Sequence, residues 1–212
     1  VRGIGDIDGD FIEDIAVGSP RDPLALYPSP PPPFPGGPPI DPKYFRSTGR
    51  VFVFSGASGA KLLEIKIYND YWTDPEIPSC LGWAIAPLGD VNGDGKSDFA
   101  ISDPVLDSLP GLPAARVYAI SGADGSVLWK TSEPQTALGK QRMPSFGYSL
   151  ANIGDVTGDG IQDLLVSAPF AELEPESGSY CFVGIGWVLN GATGAVIVGL
   201  AKPGTRVAGD RF

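Results

Sequence analysis

Histidine is absent from the 212 residues, methionine occurs once and cysteine twice. Without histidine the chain lacks the commonest general base at neutral pH, the serine–histidine–aspartate arrangement and ordinary histidine-ligated zinc. The two thiols, Cys80 and Cys181, are too few for a structural zinc site. They leave room for one disulfide in an oxidising compartment or for two separately buried thiols, since sequence does not show proximity. No stretch is long and apolar enough to span a bilayer, and none shows helical periodicity. Charge is sparse too, at 19% of residues, and its balance is −10. That sign disfavours nucleic acid and anionic membrane as partners.

What the chain has in quantity is glycine (29) and proline (22), the composition of many short strands and turns. Its acidity is patterned. Ten of the 25 acidic residues fall at positions 1, 3, 5 and 9 of three copies of one nine-residue loop. These read Asp6-Ile-Asp8-Gly-Asp10-Phe-Ile-Glu-Asp14, Asp90-Val-Asn92-Gly-Asp94-Gly-Lys-Ser-Asp98 and Asp155-Val-Thr157-Gly-Asp159-Gly-Ile-Gln-Asp163. Oxygen-bearing side chains stand at positions 1, 3, 5 and 9, and glycine at position 4. A hard cation such as Ca²⁺ takes six to eight oxygens at about 2.3–2.6 Å, and alternate residues of a tight loop can supply them. Position 7 would add a backbone carbonyl. One such loop could be an ordinary turn, because Asp, Asn and Gly crowd turns. A merely solvated acidic surface does not explain three copies at fixed spacing, so the reading is three Ca²⁺ ions.

The loops are the centre of a longer period. Leu81-Gly-Trp-Ala-Ile-Ala precedes the second and Phe146-Gly-Tyr-Ser-Leu-Ala the third. After the loops come Ile15-Ala-Val-Gly-Ser-Pro20, Phe99-Ala-Ile-Ser-Asp-Pro104 and Leu164-Leu-Val-Ser-Ala-Pro169, short apolar runs that read as buried strands closed by proline. A further element recurs in Arg50–Gly59, Arg116–Gly125 and Trp187–Gly194, each a strand running into a Gly-rich turn. Apolar returns such as Lys61–Ile67 and Ser126–Trp129 complete hairpins. Each period then holds four short strands, with the acidic loop joining the first two. Four-stranded units repeating at this length predict an all-β β-propeller, in preference to a β-solenoid with its shorter coils.

The Phe-Gly before the loop, the acidic loop and the Gly/Ser-x-Pro ending after it resemble the FG-GAP repeats of integrin alpha-subunit propellers. The turns Ser55–Gly59 and Ser121–Gly125 are similar to bacterial members of that family. The resemblance covers nearly the whole chain. It implies that each loop joins strands one and two of a blade and binds calcium on one rim, with ligand recognition on the opposite face. Carried over, the ligands are Asp6, Asp8, Asp10 and Asp14; Asp90, Asn92, Asp94 and Asp98; and Asp155, Thr157, Asp159 and Asp163. The carbonyls of Ile12, Lys96 and Ile161 complete the sets. Two departures stand out. Phe11 occupies position 6, where the other loops have glycine, which costs about 1 kcal/mol or more if that position needs positive φ. Thr157 is a weaker neutral ligand. The metal is read as structural, because a catalytic ion needs an open coordination position and a nearby acid or base.

The expected organisation is a single propeller segment: blade I over 1–67 with a Pro-rich insertion at 20–47, blade II over 80–130 and blade III over 145–201. Residues 209–212 start a further repeat, since Arg211-Phe212 resembles the beginning of another Phe-Gly motif. Propellers have about four to eight blades, so three periods read as part of a longer ring, or as a unit completed end to end by another copy. The run Pro28–Pro39 favours polyproline II. It is either a docking ledge or a rigid loop packed on its own blade. Connections on the face opposite the acidic loops are the expected binding surface, with Tyr68, Tyr71 and Trp72 as the candidate cluster for a protein or carbohydrate ligand, or else as covers for blade edges. The function expected is a non-enzymatic, calcium-stabilised extracellular or cell-surface adhesion module. The alternatives are a surface-layer or filament subunit and the scaffold of a secreted polysaccharide-degrading enzyme. Asp74, Glu76, Asp107, Glu172, Glu174 and Glu176 offer carboxylates for that enzyme, but no spacing singles out a pair.

Overall fold

A computed structural model describes residues 1–20, 49–67, 80–104, 115–134, 145–170 and 184–200, with the backbone of a short strand pair at 172–173 and 181–182. The described chain is all-β and forms three four-stranded antiparallel sheets. The first runs in chain order through β1 (Arg2–Gly3), β2 (Ile15–Ser19), β3 (Arg50–Phe54) and β4 (Lys61–Ile65). The second runs through β5 (Ile85–Gly89), β6 (Asp98–Asp103), β7 (Arg116–Ile120) and β8 (Val127–Ser132). In the third, β9 (Ser149–Asn152) pairs with β10 (Leu164–Ala168), then β13 (Ile185–Leu189) and β14 (Val196–Leu200). These are propeller blades of the expected class. An additional pair, β11 (Glu172–Leu173) with β12 (Cys181–Phe182), lies in the β10–β13 connection, where the sequence reading placed only a loop.

The blades repeat in detail. Each final hairpin shifts register one step before its turn, at Val53/Phe54, Ala119/Ile120 and Val188/Leu189. Each turn closes on a glycine of positive φ, with Gly59, Gly125 and Gly194 donating their N–H to the carbonyls of Ser55, Ser121 and Asn190 at 2.8, 2.9 and 2.8 Å. Only glycine enters that backbone region without steric cost. The recurring Ser/Asn-Gly-Ala-x-Gly string is therefore a folding instruction.

Blades pack face to face through two apolar layers. Ile4, Val51, Val53 and Ile65 of the first blade meet Leu81, Phe99, Ile101 and Tyr118 of the second. Leu88, Val117 and Ala119 of the second meet Phe146, Leu164, Val166 and Trp187 of the third. Sandwiched between neighbours, β6 is buried at every residue, whereas β10 shows the alternation of a strand with one covered face. The Phe-Gly element sits at these junctions. Leu81 and Phe146 are fully buried, and the glycine after each has φ of 84° and 85°. A Cβ on Gly82 would lie 2.9 Å from the Arg50 carbonyl of the preceding blade, and one on Gly147 would lie 2.8 Å from Ser102 Cβ. The motif is thus the contact by which one blade seats on the last.

Candidate metal centres

The three acidic loops link β1 to β2, β5 to β6 and β9 to β10, all on one rim. Within each, side-chain oxygens fold inward onto the loop's own amides. Position 1 accepts from positions 4 and 6 in every loop: Asp6 from Gly9 and Phe11 at 2.6 and 2.8 Å, Asp90 from Gly93 and Gly95 at 2.8 and 2.8 Å, and Asp155 from Gly158 and Gly160 at 2.6 and 2.8 Å. These donors hold the Asp6 and Asp155 carboxyls below the usual carboxylate range, with the Gly9 N–H foremost for Asp6 and the Gly160 N–H for Asp155. Position 5 accepts from position 7: Asp10 from Ile12, Asp94 from Lys96 and Asp159 from Ile161. Position 3 accepts from position 5 through Asp8 and Asn92. Thr157 instead points its hydroxyl toward Asp155 and Asp163.

Position 6 does need positive φ. Gly95 and Gly160 stand at 83° and 90°, and Phe11 is forced to 68° with its side chain 96% exposed. The first loop thus tolerates backbone strain and gains no burial for it.

Position 9 behaves differently from the rest. Asp14, Asp98 and Asp163 are fully buried. One oxygen of each accepts the position-2 N–H of its loop, from Ile7, Val91 and Val156, at 2.8 Å in every case. The other accepts an N–H from the hairpin turn of the same blade, from Gly56, Gly122 and Gly191, at 2.9 Å. Burial pushes the Asp98 carboxyl up despite the Gly122 and Val91 donors. The turn comes so close that a Cβ on Gly56, Gly122 or Gly191 would lie 2.0, 2.0 or 1.9 Å from the position-8 carbonyl. These three glycines belong to the site, and sequence reasoning assigned them only to a turn. Their recurrence immediately after Ser55, Ser121 and Asn190 was the available signal.

The arrangement fits a hard divalent cation. Carboxylate oxygens of Asp6, Asp8 and Asp14 lie within 4.8 Å of one another. Ligands on opposite sides of a Ca²⁺ ion are about 5 Å apart. Asp10 lies outside that group of three, its Oδ1 turned to the Ile12 N–H. In the second and third loops the neutral Asn92 and Thr157 leave three carboxylates each. Amides reach the position-5 oxygen there. Asn92 Nδ2 donates to Asp94 Oδ2 at 2.9 Å, and Asn190 Nδ2, from the hairpin turn, donates to Asp159 Oδ2 at 2.6 Å. The Asn190 donor is the leading cause that holds the Asp159 carboxyl low. Neighbouring loops also touch: Lys96 Nζ donates to the Ile7 carbonyl, and the Ser97 N–H to the Asp6 carbonyl at 3.3 Å.

The candidate ligand residues Tyr68, Tyr71 and Trp72 lie outside the described residues, as do residues 21–47 of the Pro-rich insertion and Asp74, Glu76, Asp107, Glu174 and Glu176. The strand ends opposite the acidic loops carry an aromatic step the sequence reading missed. Trp83 and Tyr148 precede β5 and β9, and Phe170 follows β10. Trp83 and Tyr148 rings are 5.4 Å apart, and Tyr148 meets Phe170 edge-on at 5.7 Å. Trp83 Nε1 donates to the Tyr148 carbonyl at 3.1 Å, while Tyr148 and Phe170 stay 37% and 48% exposed. A recess beside the step is lined by Arg2, Trp83, Ile85, Tyr148 and Leu150. Cys80 is buried, with its N–H on Asp103 Oδ1 at 2.6 Å, and the Cys181 side chain lies outside the described residues. Among the described residues no helix is long and apolar enough to cross a membrane.

The family model described as FG-GAP repeat matches residues 146–189, from the buried Phe146 to the end of β13. Integrin alpha-4 of Xenopus laevis is 28% identical over 167 residues, covering 77% of this chain and 13% of the integrin. Integrin alpha-PS2 of Drosophila melanogaster is 30% identical over 186 residues, covering 85% of this chain and 11% of the integrin. The chain therefore spans only a small part of the length of the curated relatives it matches. The crystal structure of rhamnogalacturonan lyase YesW aligns with 74% of this chain and 32% of its own, at 13% identity and a TM-score of 0.30, a likeness too slight to argue from.

Proposed function

This chain is an FG-GAP-repeat, integrin-alpha-like β-propeller, and from that premise we propose that it is a calcium-stabilised extracellular or cell-surface binding module for a protein or carbohydrate ligand. The observation that carries the reading is the shared geometry of the three loops, in each of which a buried aspartate ties loop to hairpin turn, with the carboxylates of Asp6, Asp8 and Asp14 converging in the first. Asp6, Asp8, Asp10 and Asp14, with their counterparts in the other two loops, would hold three Ca²⁺ ions. Bound calcium supplies the charge that lets clustered carboxylates share one turn. The protein's own residues position the rim and, through it, the strands whose far ends carry the ligand face. Trp83, Tyr148 and Phe170 are the described candidates on that face, where variable connections on a rigid scaffold place recognition. The exposed apolar side chains Val196, Ile197 and Leu200 of β14 fit contact with further blades, from the same polypeptide or another copy.

The test is thermal unfolding of the protein containing this chain, with Ca²⁺ and with excess chelator. A large fall in midpoint on chelation, diminished by Asp94→Ala, is the expected result. An unchanged midpoint would remove the metal from the account. Binding to a panel of immobilised proteins and polysaccharides, weakened by Tyr148→Ala, tests the ligand face. Release of cleaved sugar from the same panel would move the reading to an enzyme scaffold.

A further inference from the structure

The third blade departs from the other two at one position with a consequence for its metal loop. The hairpin turn begins with Ser55 in the first blade and Ser121 in the second, but with Asn190 in the third. Each side-chain oxygen caps its own turn: Ser55 Oγ accepts from the Ser58 N–H, Ser121 Oγ from the Ala123 N–H, and Asn190 Oδ1 from the Thr193 N–H and hydroxyl at 2.9 and 2.8 Å. Those two donors settle which end of the Asn190 amide faces the turn. Its NH₂ group is consequently aimed away, at Asp159 Oδ2, 2.6 Å distant, and at Thr157 Oγ1, 3.3 Å distant. A serine has no second polar atom with which to make that reach.

We infer that Asn190 is an internal brace that holds the third loop on its hairpin turn without metal, so that the three loops differ in how far they depend on calcium for order. In the first two blades the side-chain tie described between loop and turn is the position-9 carboxylate alone, Asp14 to Gly56 and Asp98 to Gly122. The third blade has that tie, Asp163 to Gly191, and a second from Asn190 to Asp159. The second tie joins the same two segments at a different point, so the loop cannot pivot on Asp163. The donor is an amide, which offers partial positive charge to a carboxylate that calcium would otherwise neutralise. It also stands beside Thr157, where a neutral hydroxyl takes the place of the Asp8 carboxylate of the first loop.

The first loop is at the other extreme. It carries four carboxylates at positions 1, 3, 5 and 9, no amide at position 3 or on its turn, and a strained Phe11. The second loop is intermediate, because Asn92 braces Asp94 within the loop and leaves the turn untouched. The order of dependence on calcium is first, second, third. A chain built this way keeps its third blade assembled as calcium falls and releases the rim of its first blade earliest.

The inference rests on the calcium reading above, and one experiment separates the two. Hydrogen exchange read by mass spectrometry on the intact protein resolves peptides spanning 6–14, 90–98 and 155–163. In chelator, amides of the third loop are expected to exchange about tenfold or more slowly than the matching amides of the second, the scale of one hydrogen bond to a charged group. Asn190→Ser, which installs the residue the other blades fold with, should abolish that difference while β10 and β13 stay protected. Asn190→Asp should speed third-loop exchange in chelator, by placing like charges together, and Ca²⁺ should restore protection. Equal exchange of the second and third loops in chelator, or no response to Asn190→Ser, would overturn the brace. Exchange unaffected by Ca²⁺ in every loop would overturn the calcium reading and leave the brace to be judged by the chelator arm alone.

Discussion

Gly122→Ala should be among the most damaging single-methyl additions available in this chain, and its magnitude follows from the rim geometry. The added Cβ would sit 2.0 Å from the Ser97 carbonyl oxygen and 2.8 Å from Ile7 Cγ2, where real contacts begin near 3.0 Å. Neither neighbour can yield easily: one is backbone of the second acidic loop, and the other is a buried side chain between blades. Relieving the clash moves turn from loop by about 1 Å, the kind of overpacking that costs 1–3 kcal/mol. The same movement breaks the 2.9 Å bond from the Gly122 N–H to Asp98. A hydrogen bond to a charged group contributes about 1.5–3 kcal/mol, and here its loss leaves one oxygen of a buried carboxylate without its donor. A total near 3–5 kcal/mol is expected. Gly93→Ala is the control, because Gly93 has φ of 78° and nothing within 4 Å of its added Cβ. It should cost only about 1 kcal/mol, from backbone conformation alone. Urea unfolding at saturating Ca²⁺ measures both, with the slope checked for constancy so that the midpoints report stability. If Gly122→Ala loses no more than Gly93→Ala, the turn does not bear on the loop as described.

Phe11→Gly should stabilise the protein by about 0.5–1 kcal/mol, since about 1–2 kcal/mol of left-handed strain is relieved against a smaller gain in unfolded-chain entropy. Almost no burial is lost, because the ring is 96% exposed; a lower urea midpoint would show that the loop is not strained there. Glu64 lies between Lys66, Lys61 and Arg50 at 2.8, 3.0 and 2.9 Å. Lys66 foremost, then Lys61, pull its carboxyl from 4.5 down to about 2. Its folded value is depressed, so its contribution is complete above pH 4.5 and is lost as pH falls toward 2. Glu64→Gln should therefore flatten the acid limb of a stability–pH curve in that window, by less at high salt; an unchanged limb would mean the cluster is screened away.

Much of this architecture is local, and local features are legible in a sequence. The alternation of oxygens at 1, 3, 5 and 9, the glycine at 4 and the unfavourable Phe11 are backbone facts of nine residues, and φ of 68° at Phe11 is what a single chain segment dictates. Strands β2, β6 and β10 are apolar runs closed by Pro20, Pro104 and Pro169, and proline's missing donor ends a ladder whatever surrounds it. The threefold recurrence then implies blades, because one such sheet cannot bury its faces alone.

The rest depended on which segments the folded sheets bring together. Gly122 must be glycine because of Ser97, 25 positions earlier, and Asn190 matters because of Asp159, 31 positions earlier. Trp83 and Tyr148 form one step although 65 positions separate them, since each precedes the first strand of its blade and the two blades are adjacent. A sequence specifies residue types and their periods, and so it could determine the loops, strands and repeat. The distances across a rim arise from sheet register and blade packing, and only the tertiary structure could turn a recurring glycine into a contact and an asparagine into a brace.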